Sequence, residues 1–194
     1  MNEHPMNANS VREEHWLTRY YFMRTAFSAV WVALAFSVGQ RSPEATAALL
    51  FVYPAWDALA NYFDMSRSGG MAESRTQAIN IVISVISVIT AIAVILALRT
   101  SMSWVLGVFG AWAILSGLLQ LGTALRRWKR SSAQWAMVLS GAQSALAGAY
   151  FIVQAGVAMP PAISRIAGYA AVGAIYYLVS AVWLYARRLR RKVA

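Results

Sequence analysis

Six stretches of this chain are each long enough to cross a lipid bilayer as a helix and nearly free of charge, which limits its fold more than any other feature. A hydrocarbon core needs about 20 apolar residues per helix. Inside it each backbone N–H and C=O must find a partner in the protein, which a helix supplies within its own segment. The runs lie at about 21–39, 44–63, 77–98, 102–125, 133–154 and 161–186. The connections are short, as in Gln40-Arg41-Ser42-Pro43 and Arg99-Thr100-Ser101, so antiparallel neighbours are expected to pack as one bundle. Composition agrees. Hydrophobic residues make up 59% of the chain and charged ones only 12%, against roughly 25% charged in a soluble domain. A soluble fold of 194 residues could not be coated with so few polar side chains.

The basic residues set the expected orientation. Arg12, Arg19, Arg24, Arg67, Arg75, Arg126, Arg127, Lys129, Arg130, Arg187, Arg188, Arg190, Arg191 and Lys192 fall on one side. Arg41, Arg99 and Arg165 fall on the other, so fourteen of the seventeen Lys and Arg residues share a side. That side is expected to be cytoplasmic, with both termini on it. The least apolar run, the second, must cross for this to hold; otherwise Arg126–Arg130 would lie outside. Residues 1–20 are polar and lack the apolar core of a secretory signal, so the first span is expected to act as an uncleaved anchor.

Three segments follow: a cytoplasmic segment at 1–20, a six-helix transmembrane domain at 21–186, and a basic cytoplasmic tail at 187–194. Ser10-Val11-Arg12-Glu13 fits a capping box, so a short amphipathic helix is expected to begin there, with Trp16, Leu17 and Tyr20 towards the membrane surface. In the tail, Arg187, Arg188, Arg190, Arg191 and Lys192 are suited to anionic lipid headgroups. Their simpler role is to anchor the topology.

A 56-residue shift places Ala111-Trp112 on Ala167-Gly168 in one direction and on Ala55-Trp56 in the other. The same shift relates Asn61, Gly117 and Gly173. The expected fold is therefore an all-α polytopic membrane bundle of six transmembrane helices, arranged as three repeated helical hairpins. Glycines 107, 110, 117, 141, 148, 168 and 173 are expected to let helix backbones approach closely. The stretch from Phe109 through Gly117 to Gln120, followed by Arg126-Arg127, resembles the HdeD-type short-repeat membrane proteins of bacteria. That resemblance implies a six-span inner-membrane protein with Gly-rich helices, and for some members a link to acid resistance. The segment from Tyr53 to Asp64 is more polar than the repeat of that family.

Asp57 is the residue that most needs explaining. An Asp at a helix centre costs about 2.5–3.5 kcal/mol on insertion scales. Asn61 and Asp64 follow at helical spacing on the same face. Asn80, at the start of the third span, and Arg24, one turn into the first, are expected at comparable depth. These five residues form a candidate intramembrane polar cluster with two readings. One is a proton or cation site with Asp57 titrating. The other is a structural pair, with Arg24 and Asp57 neutralising each other across two helices and the amides completing the hydrogen bonds.

The net charge of +10 is placed at span ends, without a basic groove or interleaved stacking aromatics, which argues against nucleic acid. Cysteine is absent and both histidines, His4 and His15, precede the first span, so no cofactor or transition-metal site is expected. No nucleophile–base combination or phosphate loop is present, so no enzymatic activity is expected. Three functions stay open: a non-enzymatic HdeD-type protein of acid or envelope stress tolerance, a small transporter or channel using Asp57, and an accessory subunit of a membrane complex. The expected partners are membrane lipids, anionic ones in particular, and either a second copy or another membrane protein.

Overall fold

The structure, a computed structural model, describes residues 8–67, 74–127, 134–157 and 163–193. Among these residues the chain forms six helices and no strand: α1 (Ala8–Ser37), α2 (Pro43–Arg67), α3 (Ser74–Leu98), α4 (Met102–Arg127), α5 (Gln134–Ala155) and α6 (Ile163–Val193). Each corresponds to one of the six apolar runs. The chain is an all-α, multi-pass membrane bundle.

Local chemistry explains the turns. Between α1 and α2, the Gly39 N–H returns to the Leu34 carbonyl at 2.9 Å. A Cβ on Gly39 would sit 2.9 Å from the Ala35 carbonyl oxygen, so this close return needs glycine. Ser42 then caps α2, its Oγ accepting from the Ala45 N–H at 3.2 Å. Pro43 opens the helix where its missing N–H is not needed. Pro54, further along, is fully buried and α2 continues through it.

At the N-terminal end of the described chain the structure departs from expectation. Ser10 and Glu13 lie inside α1, not at a helix start, and α1 runs without a break from Ala8 into the first span. The amphipathic segment and the span are one helix. No Gly or Pro interrupts residues 8–37, so nothing in the local sequence ends the helix between them.

The outside of the bundle is apolar. On α3, Ile81, Val85, Val88, Ile89, Ile92 and Leu96 all face outward, as lipid requires and water does not tolerate. Four helices contain windows long and apolar enough to cross a membrane by length and composition: Ile81–Leu98, Met102–Gly122, Val138–Ala155 and Ile163–Arg190. α1 and α2 are not among them. They carry Arg24 and Asp57, yet they also turn Val30, Leu34, Phe36, Val52, Leu59 and Phe63 outward. Hydroxyls within the helices fold back on carbonyls one turn earlier, as Thr25 does on Tyr21 at 2.9 Å and Thr90 on Ile86 at 2.8 Å.

The helices form a closed ring in chain order, with α6 returning to α1. The most extensive contacts join α4 to α5, α1 to α6 and α2 to α3. The tightest pairs therefore fall between the three expected hairpins, not within them. Connectivity makes helices neighbours, but the faces they present decide how closely they approach. On α4 and α5 those faces are glycines. A Cβ on Gly110 would lie 2.7 Å from the Gly148 carbonyl oxygen, and one on Gly148 would lie 2.5 Å from that of Gly110. Further along the same contact, Gly117 and Gly141 repeat the arrangement, at 2.6 and 2.8 Å.

Three other glycines of the expected set behave differently, and a Cβ at Gly107 would meet only the Ala155 Cβ, at an ordinary 3.9 Å. A Cβ added at Gly168 or Gly173 would meet nothing within 4 Å, so neither residue mediates close packing.

The interior is layered. The apolar core draws on all six helices, with Trp31, Leu50, Val94, Phe109, Phe151 and Ile166 among its members. All of it lies within about three turns of the α1–α2, α3–α4 and α5–α6 connections. We call this the connection end. The opposite half, towards the two termini, buries polar side chains.

Candidate functional site

That polar half is centred on Asp57, which α2 holds one turn beyond Pro54. The helix places its carboxylate between α1 and α3. Arg24 of α1 donates through Nη2 to Oδ1, forming an ion pair whose side chains are only 13% and 11% exposed. On the other side of the carboxylate, Oδ2 accepts from Ser87 Oγ of α3 at 2.9 Å and from Asn61 Nδ2 at 3.0 Å. Asn61 also donates to the Asp57 backbone carbonyl at 2.7 Å, which fixes its rotamer. Ser87 is fully buried and accepts in turn from Trp112 Nε1 of α4 at 3.0 Å. Its hydroxyl thus acts as donor and acceptor at once.

Arg24 is held as firmly. Nη1 donates to the Tyr20 hydroxyl at 2.8 Å. Its guanidinium carbon stands 4.7 Å from the ring centroid of Tyr177 on α6 and 5.6 Å from that of Tyr20. Such rings attract a cation through their negative faces. The site therefore joins five helices: α1, α2, α3, α4 and α6.

The structure brings Arg24, Asp57 and Asn61 together. Asp64 lies further along α2, where its Oδ1 accepts from Trp16 Nε1 of α1 at 3.0 Å. Asn80 is in α3, but its side chain lies outside the described residues. Arg187, Arg188 and Arg190 occupy the last turns of α6, with Arg190 exposed. Arg191 and Lys192 continue that helix, and their side chains lie outside the described residues. Tyr20, Ser87, Trp112 and Tyr177 join the site without having been candidates for it on sequence grounds. The sequence signal for Ser87 is its place in Ile81-Val82-Ile83-Ser84-Val85-Ile86-Ser87, where a hydroxyl in an aliphatic helix needs a partner.

Two smaller polar contacts cross from α5 to α6. Tyr169 OH and Ser144 Oγ are 3.0 Å apart, and Arg165 Nη1 donates to Gln154 Oε1. Trp56 stacks on Phe27 with centroids 4.4 Å apart, while its Nε1 and Ser116 Oγ are buried without a hydrogen-bond partner among the described residues.

Chemically, the Asp57 carboxylate accepts bonds from three side chains, which use both oxygens. These three donors take up most of the acceptor capacity of the carboxylate. Among the described residues no group of three His, Cys, Asp or Glu side chains is placed to hold a metal ion. Ser87→Ala removes one donor to Asp57 and the acceptor of Trp112 together. It is expected to lower stability by about 1–3 kcal/mol, read as thermal unfolding in detergent. Ser84→Ala, whose hydroxyl reaches only the Ala58 carbonyl at 3.3 Å, is expected to change little.

No curated protein and no solved structure matches the chain. Residues 82–153, which take in most of α3, all of α4 and nearly all of α5, are similar to the family described as a short repeat of unknown function, DUF308.

Proposed function

We propose that the protein is a non-enzymatic, multi-pass protein of the bacterial inner membrane, of the HdeD type, serving acid or envelope stress tolerance through contacts with lipids or a membrane partner. In this reading the Arg24–Asp57 pair is a structural tie between helices. The observation that carries it is the engagement of both Asp57 oxygens by Arg24, Ser87 and Asn61. The carboxylate is consumed in holding helices, which leaves it poorly placed to bind and release a transported ion. The similarity of residues 82–153 to a short-repeat family supports the HdeD-type part of the reading.

The test is flux through proteoliposomes containing the purified chain. No proton or cation flux that Asp57→Asn abolishes is expected; such a flux would make the site a transport site. The stress role predicts lower survival of cells lacking the protein after an acid challenge, restored by the wild-type chain.

The charge count supports cytoplasmic termini. The chain contains no cysteine, so single cysteines report topology cleanly. A cysteine replacing Arg190 is expected to react with an impermeant maleimide only after cells are opened, and one replacing Arg99 in intact cells. The reverse labelling pattern contradicts the orientation.

A further inference from the structure

The ring of helices is held unevenly around its circumference. α1 and α6 pack along each other, and α2, α3, α4 and α5 form a continuous series of well-packed neighbours. By contrast, α1 and α2, and α5 and α6, bring their backbones close together far less along their lengths. The bundle thus divides into an α1–α6 pair and a four-helix body, joined by two thin seams.

Both seams start from the same end of the bundle. The chain crosses one at the Val38–Ser42 turn and the other between α5 and α6, both at the connection end. The apolar core also lies at this end and includes Trp31 and Ala35 of α1 and Ile163 and Ile166 of α6. A bond from Trp31 Nε1 to the Leu49 carbonyl, 2.8 Å, fastens α1 to α2 there. Further from the turn, the α1–α2 seam is crossed by the Phe27–Trp56 stack and then by polar bonds. The α1–α2 seam has Arg24 on Asp57 and, beyond it, Trp16 on Asp64 at 3.0 Å. The α5–α6 seam has Arg165 on Gln154 beside the connection and, deeper, the Tyr169 hydroxyl against Ser144 at 3.0 Å, with the Tyr169 ring on Phe151 of the core. Arg24 lies about 22 Å along α1 from Gly39, at 1.5 Å per residue. Its position gives the ion pair a long lever arm about the turn.

We propose that the α1–α6 pair is a hinged unit, pivoting about the connection end and latched to the four-helix body by Arg24–Asp57, Trp16–Asp64 and Ser144–Tyr169. Lipid supplies no hydrophobic force to close a seam, so polar bonds decide whether a thinly packed one stays shut. Tyr177 strengthens the unit as a whole, because it comes from α6 and covers the guanidinium carried by α1. Hinge motion between packed elements about a few turn residues is an established form of two-state change. This inference rests on reading Arg24–Asp57 as a structural tie, and its test uses a readout independent of ion flux.

The absence of cysteine allows paired spin labels in the full chain, reconstituted in bilayers, with distances read by double electron–electron resonance. Labels at the exposed positions Met23 and Tyr62 report the α1–α2 seam, and Leu146 and Val172 the α5–α6 seam. Leu118 and Leu139 report the glycine-packed α4–α5 pair as a control. In the double variant Arg24→Gln/Asp57→Asn, both seam distances are expected to lengthen and broaden while the control stays fixed. Tyr169→Phe, a milder change, is expected to broaden the Leu146–Val172 distances alone. Unchanged seam distances in the double variant overturn the hinge, as does broadening of all three pairs together. Neither outcome depends on whether Asp57 carries a flux, so failure of the hinge is distinguishable from failure of the structural reading.

Discussion

Asp57→Ala is expected to destabilise the bundle by about 3–5 kcal/mol, the cost of leaving one partner of a buried ion pair alone. Arg24 would remain in the span, covered by the Tyr20 and Tyr177 rings, with its charge uncompensated. Ser87 and Asn61 would lose their shared acceptor at the same time. Arg24→Gln is expected to cost less. Asp57 then keeps the Ser87 and Asn61 bonds, and glutamine still offers an amide donor. The order of the two losses is thus part of the prediction. It is measured by thermal unfolding in detergent, and a larger loss for Arg24→Gln than for Asp57→Ala contradicts it.

The second large effect is at the α4–α5 contact. Gly148→Ala puts a methyl group 2.5 Å from the Gly110 carbonyl oxygen and 2.8 Å from the Ile114 backbone nitrogen. These neighbours are backbone, which cannot swing aside as a long side chain can. The helices must separate along their length, at a cost of about 1–3 kcal/mol for the overpacking, together with loss of contacts across the rest of the interface. Gly117→Ala meets the Gly141 oxygen at 2.6 Å and is expected to behave alike. Gly168→Ala is the control. Nothing lies within 4 Å of that position, so the helix propensity of alanine is expected to leave stability unchanged or raise it by up to about 1 kcal/mol. Equal losses at Gly148 and Gly168 would show that close glycine packing does not hold α4 to α5.

The helices are legible because bilayer length and apolar composition both act locally, so the six runs mark out six helices. Asp57 is legible for the opposite reason: a charge in an apolar run is costly enough to require a partner, and Arg24 is available at similar depth. Ser87 and Trp112 are harder to find. A serine or a tryptophan is tolerated in a membrane helix without a special partner, and only the bundle reveals that one hydroxyl serves both Asp57 and the indole. Tyr177 is more distant still, because its contact with Arg24 depends on α6 closing the ring onto α1. The glycines divide the same way. Gly110 and Gly117 on α4 and Gly141 and Gly148 on α5 share a seven-residue spacing that aligns both pairs across antiparallel helices. Gly168 and Gly173 lack such a counterpart on α1. The continuity of α1 through Ser10 shows a further limit, since a cap signature works only where the preceding residues leave the helix.

Arg24 and Asp57 stabilise the bundle as a pair, and on that coupling the structural reading of the site depends. A double-mutant cycle in detergent with Arg24→Gln, Asp57→Asn and the combined variant measures it. The combined variant is expected to be more stable than the sum of the two single losses allows, with a coupling energy of about 1 kcal/mol or more. Additive losses, with no coupling between the two positions, would contradict the pairing.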